Sequence, residues 1–280
     1  MTAPMPPNAG QFALLWGAVG LLLVGGGISL ARIWKPGNTL RLTAKSMAYF
    51  AICFALAALI WHAWDRGSWL PIEDNFEALL ALAVALVGFT LYVQRARPIP
   101  GLDWFLMPIA VLMLAAAGLF GEVKPGAYEP HELWQLAHRM STFGGVAAFG
   151  VAAGVGTMYL IASARLRRKN VIGASPMGSL ERLENLADWA LSFGFALLTV
   201  GIVTGLIEIL ERGSKTALGP HWMTSPKVIL AFTVWVVYAI ALHTPITPAV
   251  RGRKSAMLSI VGFVLIFATM LAVLYMPGGR

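Results

Sequence analysis

The sequence predicts an all-α integral membrane protein, a bundle of about eight transmembrane helices with both termini extracytoplasmic. Its 280 residues are 58% hydrophobic and only 12% charged, which is not the composition of a soluble domain. Uncharged or nearly uncharged runs of about 18 residues or more recur along the chain, each long enough to cross roughly 30 Å of hydrocarbon. The basic residues behind the net charge of +8 cluster at the ends of those runs, a pattern of membrane topology and not of a nucleic-acid partner. Helices follow because lipid offers no partner to backbone N–H and C=O groups, and the runs lack the strict alternation of a membrane barrel.

The first run, Phe12 to about Trp34, lacks both a basic leader and a small-residue cleavage site, so it reads as a retained helix and not a signal peptide. The second, Lys45 to Trp64, ends among Trp61 and Trp64, side chains suited to an interfacial belt. The third, Asn75 to Gln94, follows Pro71 and opens with Asn75 and Glu77, an acid placed favourably at a helix N-terminus. The remaining spans are Asp103 to Gly121, Leu133 to Ala164, Ala187 to Leu210, Pro226 to Thr244 and Ser255 to Tyr275. Small residues four apart, Gly150 with Gly154 and Gly201 with Gly205, allow close helix packing. No linker long enough to separate domains interrupts the series, so residues 1–280 read as one polytopic membrane domain.

Orientation follows from the lysines and arginines of alternate loops. One set, including Arg32, Arg41, Lys45, Arg95, Arg165 to Lys169 and Arg251 to Lys254, totals fourteen; the other totals seven, mostly offset by nearby acids. The richer set is assigned to the cytoplasm. The polar segment Gly219 to Lys227, between the sixth and seventh spans, then faces the extracytoplasmic side.

The lone cysteine, Cys53, lies inside an apolar run and permits neither an intramolecular disulfide nor a Cys-x-x-Cys-His haem-attachment site. The protein is therefore not itself a c-type cytochrome. Zinc-type spacings, phosphate-binding glycine loops and nucleophile elbows are also missing, which removes support for hydrolase and nucleotide-driven activities. An inverted repeat or a pair of interrupted helices, the marks of a midplane transport site, is not detectable.

Histidine is where chemistry concentrates, because an imidazole near lipid is expensive and is also the common axial ligand of haem iron. His62 lies between Trp61 and Trp64, where an aromatic belt explains the neighbourhood as well as a ligand would. His138 lies in the first turns of the fifth helix, and ligation and a structural role stand level. His221, beside Trp222, is either a solvated loop residue or a ligand or proton carrier; His131 is in a polar loop. His243 closes the seventh helix about 24 Å from Lys227 at 1.5 Å per residue, toward the opposite face, so it cannot share an iron with the outer histidines. Glu208 is the most unusually placed acid, and pairing with Arg212 one turn on accounts for it.

Several pieces in order resemble the membrane family of cytochrome c assembly proteins of the CcsA and CcmC type. They are Pro71 to Leu79, similar to the pattern P-x-x-N-x-Y-E-S-L; His138 opening a helix; Gly194 to Gly205; Trp235 to His243; and Arg251-Gly252-Arg253 with Val261-Gly262-Phe263. The resemblance covers residues 67–280 and leaves 1–66 as divergent N-terminal helices.

It implies haem b, held non-covalently, with His138 as an external ligand and His243 as a ligand within the membrane. The loop around Trp222 takes the place of a tryptophan-rich haem-presenting segment. The implied partners are the lipid bilayer, a CcsB-like membrane subunit and an apocytochrome c, with no nucleic acid. The implied site is a bacterial-type cytoplasmic membrane, with haem handled on its outer side. The chain would be a component of a haem-attachment complex and not a catalyst alone; no catalytic residue is assigned.

The sequence departs from the family at three places. Thr224, Ser225 and Val228 stand where the segment W-G-x-x-W-x-W-D-P-K-E has its last Trp, its Asp and its Glu, and Glu208 stands where a Trp is usual. After His243 no further histidine follows, so the second external ligand is missing unless His62 or His221 replaces it. These departures also fit the HemX-like branch, a membrane regulator or scaffold of haem biosynthesis without ligation activity.

Overall fold

A computed structural model describes residues 7–32, 37–67, 75–96, 98–120, 133–167, 179–212, 222–243 and 252–275. Within them are eight α-helices: α1 (Ala9–Ala31), α2 (Asn38–Arg66), α3 (Asn75–Ala96), α4 (Leu102–Phe120), α5 (Leu133–Arg167), α6 (Leu180–Arg212), α7 (Pro226–His243) and α8 (Arg253–Tyr275). A 3-10 turn at Trp222–Thr224 precedes α7.

The helices coincide with the apolar runs but outlast them at polar ends. Both α2 and α6 begin seven residues before their apolar spans. Hydropathy marks what lipid covers, whereas intrahelical hydrogen bonding continues through charged turns such as Leu180 to Glu184. Six helices, α1 to α6, contain stretches long and apolar enough to cross a membrane. The apolar part of α7, Val228–His243, is shorter. The chain is an all-α integral membrane protein.

The helices fall into two compact units, α1 to α4 and α5 to α8. In the first, α1 packs on α2 and α4, and α3 on α2 and α4, closing a four-helix ring. Side-chain hydrogen bonds tie both ends of this ring. At one end Asn8 and Gln11 form a capping box for α1. The Gln11 side chain also donates to Asp65 Oδ2 at 2.9 Å, and its Oε1 accepts from His62 Nδ1 at 3.0 Å, so α1 is fastened to the end of α2.

At the other end Asp103 Oδ2 accepts from Ser29 at 2.5 Å and pairs with Arg32 at 3.3 Å, while the Trp104 indole donates to the Ser29 carbonyl at 2.9 Å. Both fasten α4 to α1. Beside them lies a cavity of about 20 Å³ lined by Ser29, Lys45, Gln94 and Asp103, room for one water-sized group.

The second unit relies on close backbone approach. Its α6 and α7 pack together, as do α7 and α8, and α5 lies against α6 in an antiparallel seam: His138 faces Gly205, Thr142 faces Gly201 and Phe149 faces Gly194. A Cβ on Gly145 would sit 3.3 Å from the Gly194 carbonyl, so the backbones approach as closely as small residues permit. Phe149 also stacks on the fully buried Tyr238 of α7 at 3.5 Å between ring centres, and Gly156 faces Ala256 of α8.

Candidate functional site

His138 is carried one and a half turns into α5 and sits half-buried on the glycine face of α6. Its Nδ1 lies 2.6 Å from the carbonyl oxygen of Gly201. A carbonyl only accepts, so Nδ1 carries the proton, and in the neutral ring Nε2 carries the lone pair. Among the described residues Nε2 has no hydrogen-bond partner. The Gly201 carbonyl also accepts from Thr204 Oγ1 at 3.1 Å, and Ser141 Oγ donates to the Ala137 carbonyl at 2.5 Å. The polar groups around the ring are thus satisfied by main chain.

His243, the last residue of α7, is exposed. Its Nδ1 lies 2.7 Å from the Ala239 carbonyl one turn back, which fixes the same tautomer and again leaves the lone pair on Nε2. Two histidines of one unit are therefore prepared in the same way, each ring held through Nδ1 to backbone.

They are prepared at different depths. Trp235 Nε1 donates to Thr199 Oγ1 at 3.0 Å, which puts Trp235 of α7 level with Thr199 of α6. Gly201, the partner of His138, is two residues from Thr199, about 3 Å along the axis, and His243 lies eight residues past Trp235, about 12 Å the other way along α7. A single iron with two axial imidazoles needs both at nearly one level, so His138 and His243 cannot share one. Around Trp235, Phe195 and Phe232 complete an aromatic cluster, their ring centres 5.4 and 5.7 Å from that of Trp235 and their planes inclined to it by 31° and 19°.

His62 belongs to the first unit and is 2% exposed. Its ring packs against Phe76 at 5.2 Å and its Nδ1 donates to Gln11, so it is part of the cap joining α1 and α2. Trp61, Trp64 and Trp134 are exposed, as an interfacial belt requires. Trp222 opens the 3-10 turn and Thr224 closes it. His221, His131, Gly219 and the side chains of Trp222 and Lys227 lie outside the described residues.

Among the described residues there is no group of three His, Cys, Asp or Glu that could hold a metal ion. His138 and His243 each present one nitrogen with a lone pair, the kind of donor that an axial position on haem iron takes.

The fold and these histidines define a class, polytopic helical membrane proteins with backbone-anchored imidazoles. The family model described as cytochrome C assembly protein matches residues 43–279, and the chain belongs to this family. The match begins within α2, upstream of the resemblance that starts near Gly67.

Among relatives, the cytochrome c biogenesis protein CcsA of Prochlorococcus marinus (strain NATL2A) is 32% identical over 254 residues, covering 87% of this chain and 76% of the relative. The CcsA of Mesostigma viride is 25% identical over 289 residues, with 94% and 91% covered. Among solved structures, a cytochrome c heme lyase CcmF superposes with a TM-score of 0.64 at 15% identity over 98% of this chain. This chain spans half the length of that one, and the likeness is one of fold.

Proposed function

We propose that this protein handles haem for cytochrome c biogenesis, holding haem b non-covalently through His138 on the extracytoplasmic side and through His243 deeper in the membrane. The observation that carries the reading is the shared arrangement of the two rings: Nδ1–H donated to a main-chain carbonyl, Nε2 left as the base. Metal-bound histidines commonly have this second hydrogen bond, which fixes the tautomer and raises the basicity of the ligating nitrogen. The orientation rests on the excess of lysine and arginine in one set of loops.

Haem in such a site would supply the vinyl carbons to which the thiols of a Cys-x-x-Cys-His segment on an apocytochrome c become attached. The residues of this chain bind and orient: His138 and His243 provide nitrogen ligands, and the Phe195–Trp235–Phe232 cluster offers an apolar face. A second membrane subunit, CcsB-like, supports the complex and provides ligands this chain lacks. Purified protein is expected to give a haem Soret band that weakens in His138→Ala and in His243→Ala; undiminished haem in both variants would overturn the ligand assignments.

One observation favours a second reading, a HemX-like membrane regulator of haem biosynthesis. Thr224 and Ser225, at the 3-10 turn before α7, put no aromatic face and no carboxylate where a haem-presenting loop has them. A deletion strain separates the two. Loss of holocytochrome c supports handling for attachment, whereas changed porphyrin levels with normal cytochromes support regulation.

A further inference from the structure

We infer that Gly205 and the main-chain carbonyl of Gly201 form a seat that sets both the tautomer and the direction of the His138 ring. The inference rests on the proposed function only in naming iron as the partner of Nε2. The seat itself is a statement about the free protein.

In an α-helix the carbonyl of residue i is flanked by the side chain of residue i+4, which covers it from the side. For Gly201 that residue is Gly205, and the missing side chain opens a lateral path to the carbonyl that the imidazole uses. A Cβ built on Gly205 would lie 2.7 Å from His138 Nδ1 and 2.8 Å from Cε1, over the ring edge that makes the hydrogen bond. Ordinary contact needs about 3.5 Å, so a methyl there must displace the ring or the backbone. The backbone has little room, because Gly145 of α5 already approaches the Gly194 carbonyl of α6 further along the seam. The ring must therefore turn, and turning takes Nδ1 off the carbonyl.

The neighbouring glycine is different. A Cβ on Gly201 would meet Thr142 Oγ1 at 2.7 Å and Ser141 Oγ at 3.3 Å, not the imidazole, and the Gly201 carbonyl would remain. Two glycines four residues apart thus have separable roles: Gly201 supplies the acceptor and Gly205 the opening. Thr204 shares the acceptor but does not compete for it, since its hydroxyl proton has a shorter partner in the Val200 carbonyl at 2.7 Å. Without the seat nothing holds the proton on Nδ1, and an Nε2 that carries it cannot ligate.

The test uses the full chain in detergent, labelled with 15N-histidine and free of haem, with the His138 resonances identified by their loss in His138→Gln. Wild type and Gly144→Ala, whose Cβ in the same seam would meet only the end of the Leu197 side chain at 3.1 Å, are expected to show a protonated Nδ1 and a bare Nε2, while Gly205→Ala gains Nε2–H signal. In haem-loaded protein, Gly205→Ala is expected to lower haem affinity at least about tenfold, with free imidazole in the buffer restoring the bound-haem spectrum, and Gly144→Ala to retain it. A wild-type His138 protonated on Nε2 overturns the seat, and this reading needs no variant to fold. The seat is equally overturned if both alanine variants shift the tautomer alike, or if neither does. A tautomer shift confined to Gly205→Ala, in protein that binds no haem in any form, supports the seat and overturns the iron reading instead.

Discussion

His62 and His138 make the same first hydrogen bond to different ends. Each ring donates from Nδ1, but the acceptor of His62 is the Gln11 side chain, itself bonded to Asp65 and to the Asn8 backbone, whereas the acceptor of His138 is a helix carbonyl. The first arrangement fastens two helices together and buries the ring; the second orients a ring that remains half-exposed. The contrast extends to the units that contain them. The first unit ties helix to helix with side-chain networks at both ends, while the second uses glycines for close approach and, apart from the Trp235–Thr199 link, bonds most of its polar side chains onto main chain. Substitutions in the first unit should therefore change stability, and those at the second unit's histidines should change ligand binding.

The largest effect that would sharpen this comparison is the loss of roughly half the bound haem from His138→Ala, accompanied by a melting temperature in detergent close to wild type. A large fall in stability with unchanged haem would erase the distinction. Next comes Asp103→Ala, which strands Arg32 and Ser29 at the buried junction of α1 and α4. It is expected to cost about 3 kcal/mol, at the lower end for a broken buried pair because Arg32 is partly exposed, and to leave haem content per folded protein unaltered. Gly252→Ala should follow at about 2 kcal/mol, since Gly252 has φ 79° at the start of α8 and its position for a Cβ is filled by the Tyr159 hydroxyl. Gln11→Ala removes the hub of the His62 cap and should cost about 1 to 2 kcal/mol, again without loss of haem. The smallest effect is expected for Thr199→Val, which removes the acceptor of Trp235 Nε1 for about 1 kcal/mol. Thermal unfolding paired with haem quantitation on the same samples checks all five.

The helices are legible in the sequence because an apolar run that lipid can cover is helical, and the eight runs coincide with α1 to α8, of which α1 to α6 are long and apolar enough to span a membrane. Their polar ends are less so, because Asn38 to Ala44 and Leu180 to Leu186 are helical without being apolar runs. His138 and His243 stand out as imidazoles near helix ends. The way each is held does not, because the bond of His138 joins residues 63 positions apart and depends on which helices meet. The pair Gly201 and Gly205 is visible as a small-residue motif, but the spacing carries no information about what packs on it. Asp103 marks only where a span begins, and Gln11 reads only as the capping-box partner of Asn8; the links that fasten helix to helix through them join residues at least 50 positions apart in sequence. His221 and the C-terminal residues after Tyr275 lie outside the described residues.

The central claim is that two imidazoles of one unit hold haem at two separate depths, and haem quantitation across single and double variants tests it most directly. Independent sites predict that His138→Ala and His243→Ala each lose a distinct part, roughly half, of the bound haem, and that the double variant loses the sum. A double variant that keeps its haem, or a single variant that loses all of it, would contradict two sites at two depths.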